Sequence, residues 1–100
     1  MVRQPFVADR FYPGSPEKLR ALLQSKVPTT AAVRPEALGA LVPHAGYVYS
    51  GGVAGEVYAR LEVPSTVLLL GTNHTGMGSP FSLSQASAWR PPRGAAPGAG

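Results

Sequence analysis

The sequence predicts an α/β fold built on a βαβ unit with parallel strands. Three observations carry that expectation. Ala37–Val42 (ALGALV) and Thr66–Leu70 (TVLLL) are apolar runs with no polar alternation, the pattern of strands covered on both faces. Between them Ala54, Val57, Tyr58 and Leu61 recur at i, i+3, i+4 and i+7, which predicts a helix over Gly52–Leu61, with Ser50 or Gly51 as its cap. A strand, a helix and a strand in this order make a crossover of right hand, so both strands point the same way.

The N-terminal segment Val2–Gly14 reads as irregular or as a short edge strand, anchored by Phe6, Val7, Phe11 and Tyr12, with a turn at Pro13-Gly14. Asp9 and Arg10 read as a surface ion pair. Ser15–Ser25 reads as a first helix. Ser15 suits the cap, Pro16 the first helical position and Glu17 the positive end of the dipole, and Leu19, Leu22 and Leu23 form one apolar stripe. Pro28 ends it, and Val27–Glu36 reads as a loop. Phe81–Trp89 alternates weakly, as a strand or an extended flap would. The closing RPPRGAAPGAG, residues 90–100, reads as a low-complexity, disordered tail, with residues 1–89 as the domain.

Each apolar run delivers a histidine into a glycine-rich loop: Pro43 then His44 after the first, Gly71-Thr72-Asn73 then His74 after the second. Parallel strands place the loops after them on one edge, where open α/β sheets bind ligands. The chain has two histidines, and this topology brings both to one rim. The expected early position of Glu56 in the second helix reads as a charge complementing the dipole.

Composition narrows the functional classes. Nine Lys and Arg against five Asp and Glu give a net charge of +4, but the basic residues are scattered and do not alternate with aromatics, so no nucleic-acid partner is expected. Cysteine is absent, which removes disulfides and thiolate metal ligands from this chain. The opening MVRQPFVADRF has no apolar signal region, and Val67–Leu70 is far too short to span a bilayer. A cytoplasmic protein without a membrane partner is the expectation, one that meets a small molecule or a peptide.

Two neutral imidazoles at one site begin a transition-metal centre but do not complete it, because iron or zinc needs a third ligand. The carboxylates Asp9, Glu17, Glu36, Glu56 and Glu62 show no ligand spacing. On residue types alone, three readings stand: a metal pair, two ordinary loop histidines, or an imidazole acting as acid or base. Tyr47, Tyr49, Ser50 and Asn73 flank the histidines as candidate substrate-binding groups. Ser50 lacks the GxSxG setting of a serine nucleophile, and no glycine pattern matches a nucleotide-binding loop.

The blocks RQPFVADRFYPGSPEKL, LVPHAGYVYSGGVAGEVYARL and VLLLGTNHTG, with the Trp89 segment, resemble the Memo family, known in bacteria and archaea as AmmeMemoRadiSam system protein B. The resemblance covers Arg3 to Trp89 and corresponds to the first third of the family's length. It implies a fold similar to the class III extradiol dioxygenases and a metal, iron or copper, held by residues matching His44 and His74. In eukaryotic members the third ligand is a cysteine in a later region, so this chain would hold an incomplete site. It leaves open whether the chain is an enzyme, a module binding a small anion or a peptide (eukaryotic relatives are linked to phosphotyrosine peptides), or an inactive fragment. After Trp89 the sequence departs from the family pattern, and its Ala, Pro, Gly and Arg are what GC-rich codons give in a wrong frame. A frameshifted or truncated copy of a Memo-like gene is the expectation there, testable by resequencing the locus.

Overall fold

The computed structural model describes residues 1–29 and 36–98. It shows a small α/β arrangement of two helices and a three-stranded mixed sheet. The order along the chain is β1 (Val2–Arg3), α1 (Pro16–Lys26), α2 (Tyr47–Ala59), β2 (Ala88–Trp89) and β3 (Ala96–Pro97). In the sheet β2 is central. It pairs parallel with β1, Val2 opposite Ala88 and Arg3 opposite Trp89, and antiparallel with β3. The Arg3 guanidinium lies 4.6 Å from the Trp89 ring centroid and ties β1 to β2 a second time.

Helix α1 forms where local chemistry directs it. Ser15 is the cap, and its hydroxyl accepts the Lys18 N–H at 3.4 Å; Pro16 opens the helix, and the Val27 N–H closes it on the Leu23 carbonyl at 2.9 Å. Leu19 is buried, and Leu22 and Leu23 are half-buried on the same side.

Helix α2 departs from expectation in its start and in its buried face. It begins at Tyr47 with Gly46 as cap, not at Ser50 or Gly51, and ends at Ala59. The face it buries is Ser50, Gly51, Gly55 and Ala59, rather than the stripe of Ala54, Val57, Tyr58 and Leu61. The cause is close approach to the end of α1. A side chain at Gly55 would run into the Lys26 carbonyl, and one at Gly51 would sit 3.6 Å from the Lys26 side chain. Gly51, expected at the cap, and Gly55, expected inside the helix, are therefore its contact surface. Glu56 consequently lies near the end of α2, where it pairs with Arg60 at 3.1 Å across one exposed turn.

Three further expectations are corrected. Neither Ala37–Val42 nor Thr66–Leu70 is a strand, and among the described residues no backbone–backbone hydrogen bond falls within either run. Both are exposed along nearly their whole length. A run apolar on both faces becomes a strand only when neighbours cover those faces and edges, and the described residues supply none. The parallel pairing of the sheet thus belongs to β1 and β2, not to these runs. Residues 90–98 are not a loose tail: a turn in which Gly94 donates to the Pro91 carbonyl returns the chain to β2 as edge strand β3, a position that tolerates Pro97. Phe81–Trp89 is a strand over its last two residues alone, and Phe81 and Leu83 are exposed. The loop expected over 27–36 lies largely outside the described residues.

The N-terminal segment is a compact turn, with Phe6 exposed and Val7 and Tyr12 half-buried. Asp9 does not pair with Arg10. Its carboxylate accepts the Gly14 N–H at 2.7 Å, while its own N–H donates to Tyr12. Asp9 holds a left-handed φ of 64°, a conformation that a short side chain with a local partner tolerates.

Candidate functional site

That N-terminal turn fixes the first half of the site. The Phe11 carbonyl accepts the Tyr47 N–H at 2.8 Å, and the Tyr12 and Tyr47 rings pack with centroids 5.4 Å apart. The start of α2 is thereby held against Phe11–Tyr12, and His44 lies two residues before its cap. Ser50, buried, donates its hydroxyl to the Ala45 carbonyl at 2.9 Å and ties that segment to the helix.

The second half is built by Asn73. Its amide oxygen accepts the Thr75 N–H at 3.2 Å, the Thr75 hydroxyl at 3.1 Å and the Gly76 N–H at 3.1 Å. Its amide nitrogen donates to the Met77 carbonyl at 2.9 Å. This is an asparagine-centred turn. Gly76 and Gly78, at φ of 69° and 81°, supply the left-handed residues it needs. His74 stands directly after the organising residue.

The two imidazoles meet. Nε2 of His44 lies 3.0 Å from Nε2 of His74, with ring centroids 5.1 Å apart and planes inclined at 46°. Both rings are exposed. In a metal-free pair, one neutral ring donates its Nε2–H to the lone pair of the other. Around a metal with ligand bonds of roughly 2.0–2.1 Å, the same separation would correspond to an N–metal–N angle of about 91–97°. The donor set therefore fits two adjacent coordination positions. It fits no more than two, because no group of three or more His, Cys, Asp and Glu side chains gathers among the described residues. Three of the carboxylates are engaged elsewhere: Asp9 with Gly14, Glu17 with Ser15 and Glu56 with Arg60.

The remaining candidates divide. Tyr47 is half-buried, and burial first, then the Tyr12 and Tyr58 phenols, push its own phenol above the ordinary value of 10.0, so it is neutral at physiological pH. Tyr49 is 87% exposed. Ser50 and Asn73 hold backbone in place, and Asn73 keeps one amide hydrogen beyond those bonds. Two shallow hollows, one around Gln4 and Arg90 and one around Arg20 and Arg93, include neither histidine. Sequence reasoning missed the positioning roles of Asp9 and Tyr12. The spacing of Asp9 to Gly14 around a Pro-Gly turn was the available signal.

Comparison with known proteins places this arrangement in a family. The chain matches the family model described as "Memo-like protein" over residues 3–97, and it belongs to that family. It is similar to a MEMO1 family protein of Aquifex aeolicus, 47% identical over 95 residues that make up 93% of this chain and 35% of that protein. A MEMO1 family protein of Methanococcoides burtonii is 45% identical over 93 residues, with the same two shares. The chain thus spans about a third of the length of the curated relatives it matches. The family match continues to residue 97, past Trp89, where a departure from the pattern was expected. No solved structure matches.

Proposed function

We propose that His44 and His74 are two adjacent ligands of a transition-metal ion, iron or copper, in a Memo-family protein whose fold is related to the class III extradiol dioxygenases. The observation that carries this reading is the 3.0 Å approach of the two Nε2 atoms at the ends of two glycine-rich loops. His44 and His74 would hold such an ion, which would supply Lewis-acid or one-electron chemistry there. The protein's part is positional. Asn73 sets the turn that presents His74, and the Gly46 cap with the Phe11 to Tyr47 bond sets the segment that presents His44. Exposed Tyr49 and the neutral phenol of Tyr47 are the proposed contacts for a small-molecule or peptide substrate, with Ser50 and Asn73 shaping the segments around them. Among the described residues no helix is long and apolar enough to cross a membrane, and a cytoplasmic setting belongs to the proposal.

Copper and iron binding to the purified chain tests it. Copper(II) should bind at one equivalent per chain, with an electron paramagnetic resonance spectrum showing nitrogen couplings. His44→Ala and His74→Ala should each weaken binding at least tenfold and remove one nitrogen coupling, with unchanged far-ultraviolet circular dichroism. Equal copper affinity and an identical spectrum in the double variant would overturn the assignment.

A further inference from the structure

The histidine pair fills only part of a metal's ligand set. Nε2 of His44 and Nε2 of His74 stand 3.0 Å apart, and both rings are exposed. Among the described residues no third His, Cys, Asp or Glu side chain gathers with them. Residues 30–35 and 99–100 contain none of these residue types. The segments that carry the pair are also free of charged side chains: no Asp, Glu, Lys or Arg occurs in 37–55 or in 63–89. The residues that follow each ring are small, Ala45 and Gly46 after His44, Thr75 and Gly76 after His74. Exposed rings with small neighbours in sequence leave room for a second large body to approach the pair.

The separation bears on which ion fits. Adjacent nitrogens on a tetrahedral ion with bonds of roughly 2.0–2.1 Å stand about 3.3–3.4 Å apart, and on a square-planar ion about 2.8–3.0 Å apart. The observed 3.0 Å lies with the second, the geometry of copper(II) among nitrogen donors. A square of nitrogens needs four, and this chain brings two together. We propose that a second copy of this chain supplies the other two, so that one copper(II) ion joins two chains through His44 and His74 of each. The inference rests on the metal reading above and adds to it the partner that fills the site. Each copy brings its imidazoles already paired, one held by the Asn73 turn and the other by the segment that Ser50 ties to α2. One encounter therefore forms two ligand bonds with little further ordering of side chains. With copper in excess each pair takes its own ion, which is the one-to-one complex; when chains outnumber ions, mass action favours sharing.

The test titrates copper(II) into the purified chain in a non-coordinating buffer. Light scattering follows the mass, and electron paramagnetic resonance follows the nitrogen couplings. At half an equivalent of copper the chain should double its metal-free mass and show couplings from four nitrogens. With copper in excess it should return to the single-chain mass with couplings from two. His74→Ala should keep the single-chain mass at every ratio, with unchanged far-ultraviolet circular dichroism. A chain that binds copper at half an equivalent through two nitrogens, at single-chain mass, would overturn the sharing and leave the metal pair standing. Doubled mass in chelator, or in the variant carrying both His44→Ala and His74→Ala, would also overturn it, since the association would then not run through the ion. Absence of any histidine coupling would overturn both readings.

Discussion

The helical half of the molecule is the less apolar in sequence, yet it and the half that carries the histidines end in opposite states. Around α1 and α2, Gly51 and Gly55 let the end of α1 lie against α2, and Leu19 is buried. Around Ala37–Val42 and Thr66–Leu70, residues of higher hydrophobicity lie open to water. A helix satisfies its own backbone and needs a partner for one face alone, whereas a fully apolar strand needs partners on two faces and two edges. Hydrophobicity measures the appetite for burial; topology decides whether it is met.

Substitutions that treat the two halves alike should therefore give unlike results. The largest contrast is between two leucines. Leu19→Ala should cost about 2–4 kcal/mol in urea denaturation, as a buried leucine does, whereas Leu69→Ala should change the stability of the isolated chain by no more than about 0.5 kcal/mol. Next comes a pair of glycines on one helix. Alanine is the better helix former by about 0.5–1 kcal/mol, so Gly52→Ala, with open space around it, should stabilise by that amount. At Gly55 the Lys26 carbonyl stands in the way, and overpacking of about 1–3 kcal/mol outweighs the gain, so Gly55→Ala should destabilise. Ser50→Ala removes the bond to the Ala45 carbonyl and should cost about 1 kcal/mol, with loss of order in the segment that presents His44. Nuclear magnetic resonance of the His44 ring would read that second effect.

The smallest effect concerns acid. The Glu17 carboxyl is held below its ordinary value of 4.5 by its own backbone N–H, then by the Ser15 hydroxyl, with Arg20 adding to both. A lowered value in the folded state means a contribution present above 4.5 and lost as pH falls through the lowered value. Helix α1 should accordingly weaken slightly in that window, and Glu17→Gln should flatten the dependence in acid titrations followed by circular dichroism.

What the sequence could reveal sorted by range. Ser15-Pro16-Glu17 and the leucine stripe specify α1 within one stretch, and the structure has it to within a residue at either end. The meeting of His44 and His74 was legible from two similar run-and-loop patterns, although among the described residues no paired ladder lies beneath them. The start and buried face of α2 were not legible. Nothing local marks Gly51 and Gly55 as the buried face until the end of α1 is known to lie against them, and that contact joins residues far apart in sequence. The sheet was hidden for the same reason, since nothing local to Val2 or Ala88 names the other as its partner. The family match supplied what spacing did not, and it reached eight residues beyond Trp89, since it ends at residue 97.

The pairing of Val2–Arg3 with Ala88–Trp89 has a consequence for how the molecule assembles. Bringing residues so distant along the chain together carries a loop-closure cost of roughly 4 kcal/mol from the logarithmic term alone. Strands of two residues return few hydrogen bonds against that cost, such as those from Ser87 to the Met1 carbonyl and from Arg90 to the Arg3 carbonyl. The sheet should therefore be the part of the molecule that forms last and opens first, with its amides exchanging sooner than those of the helical pair.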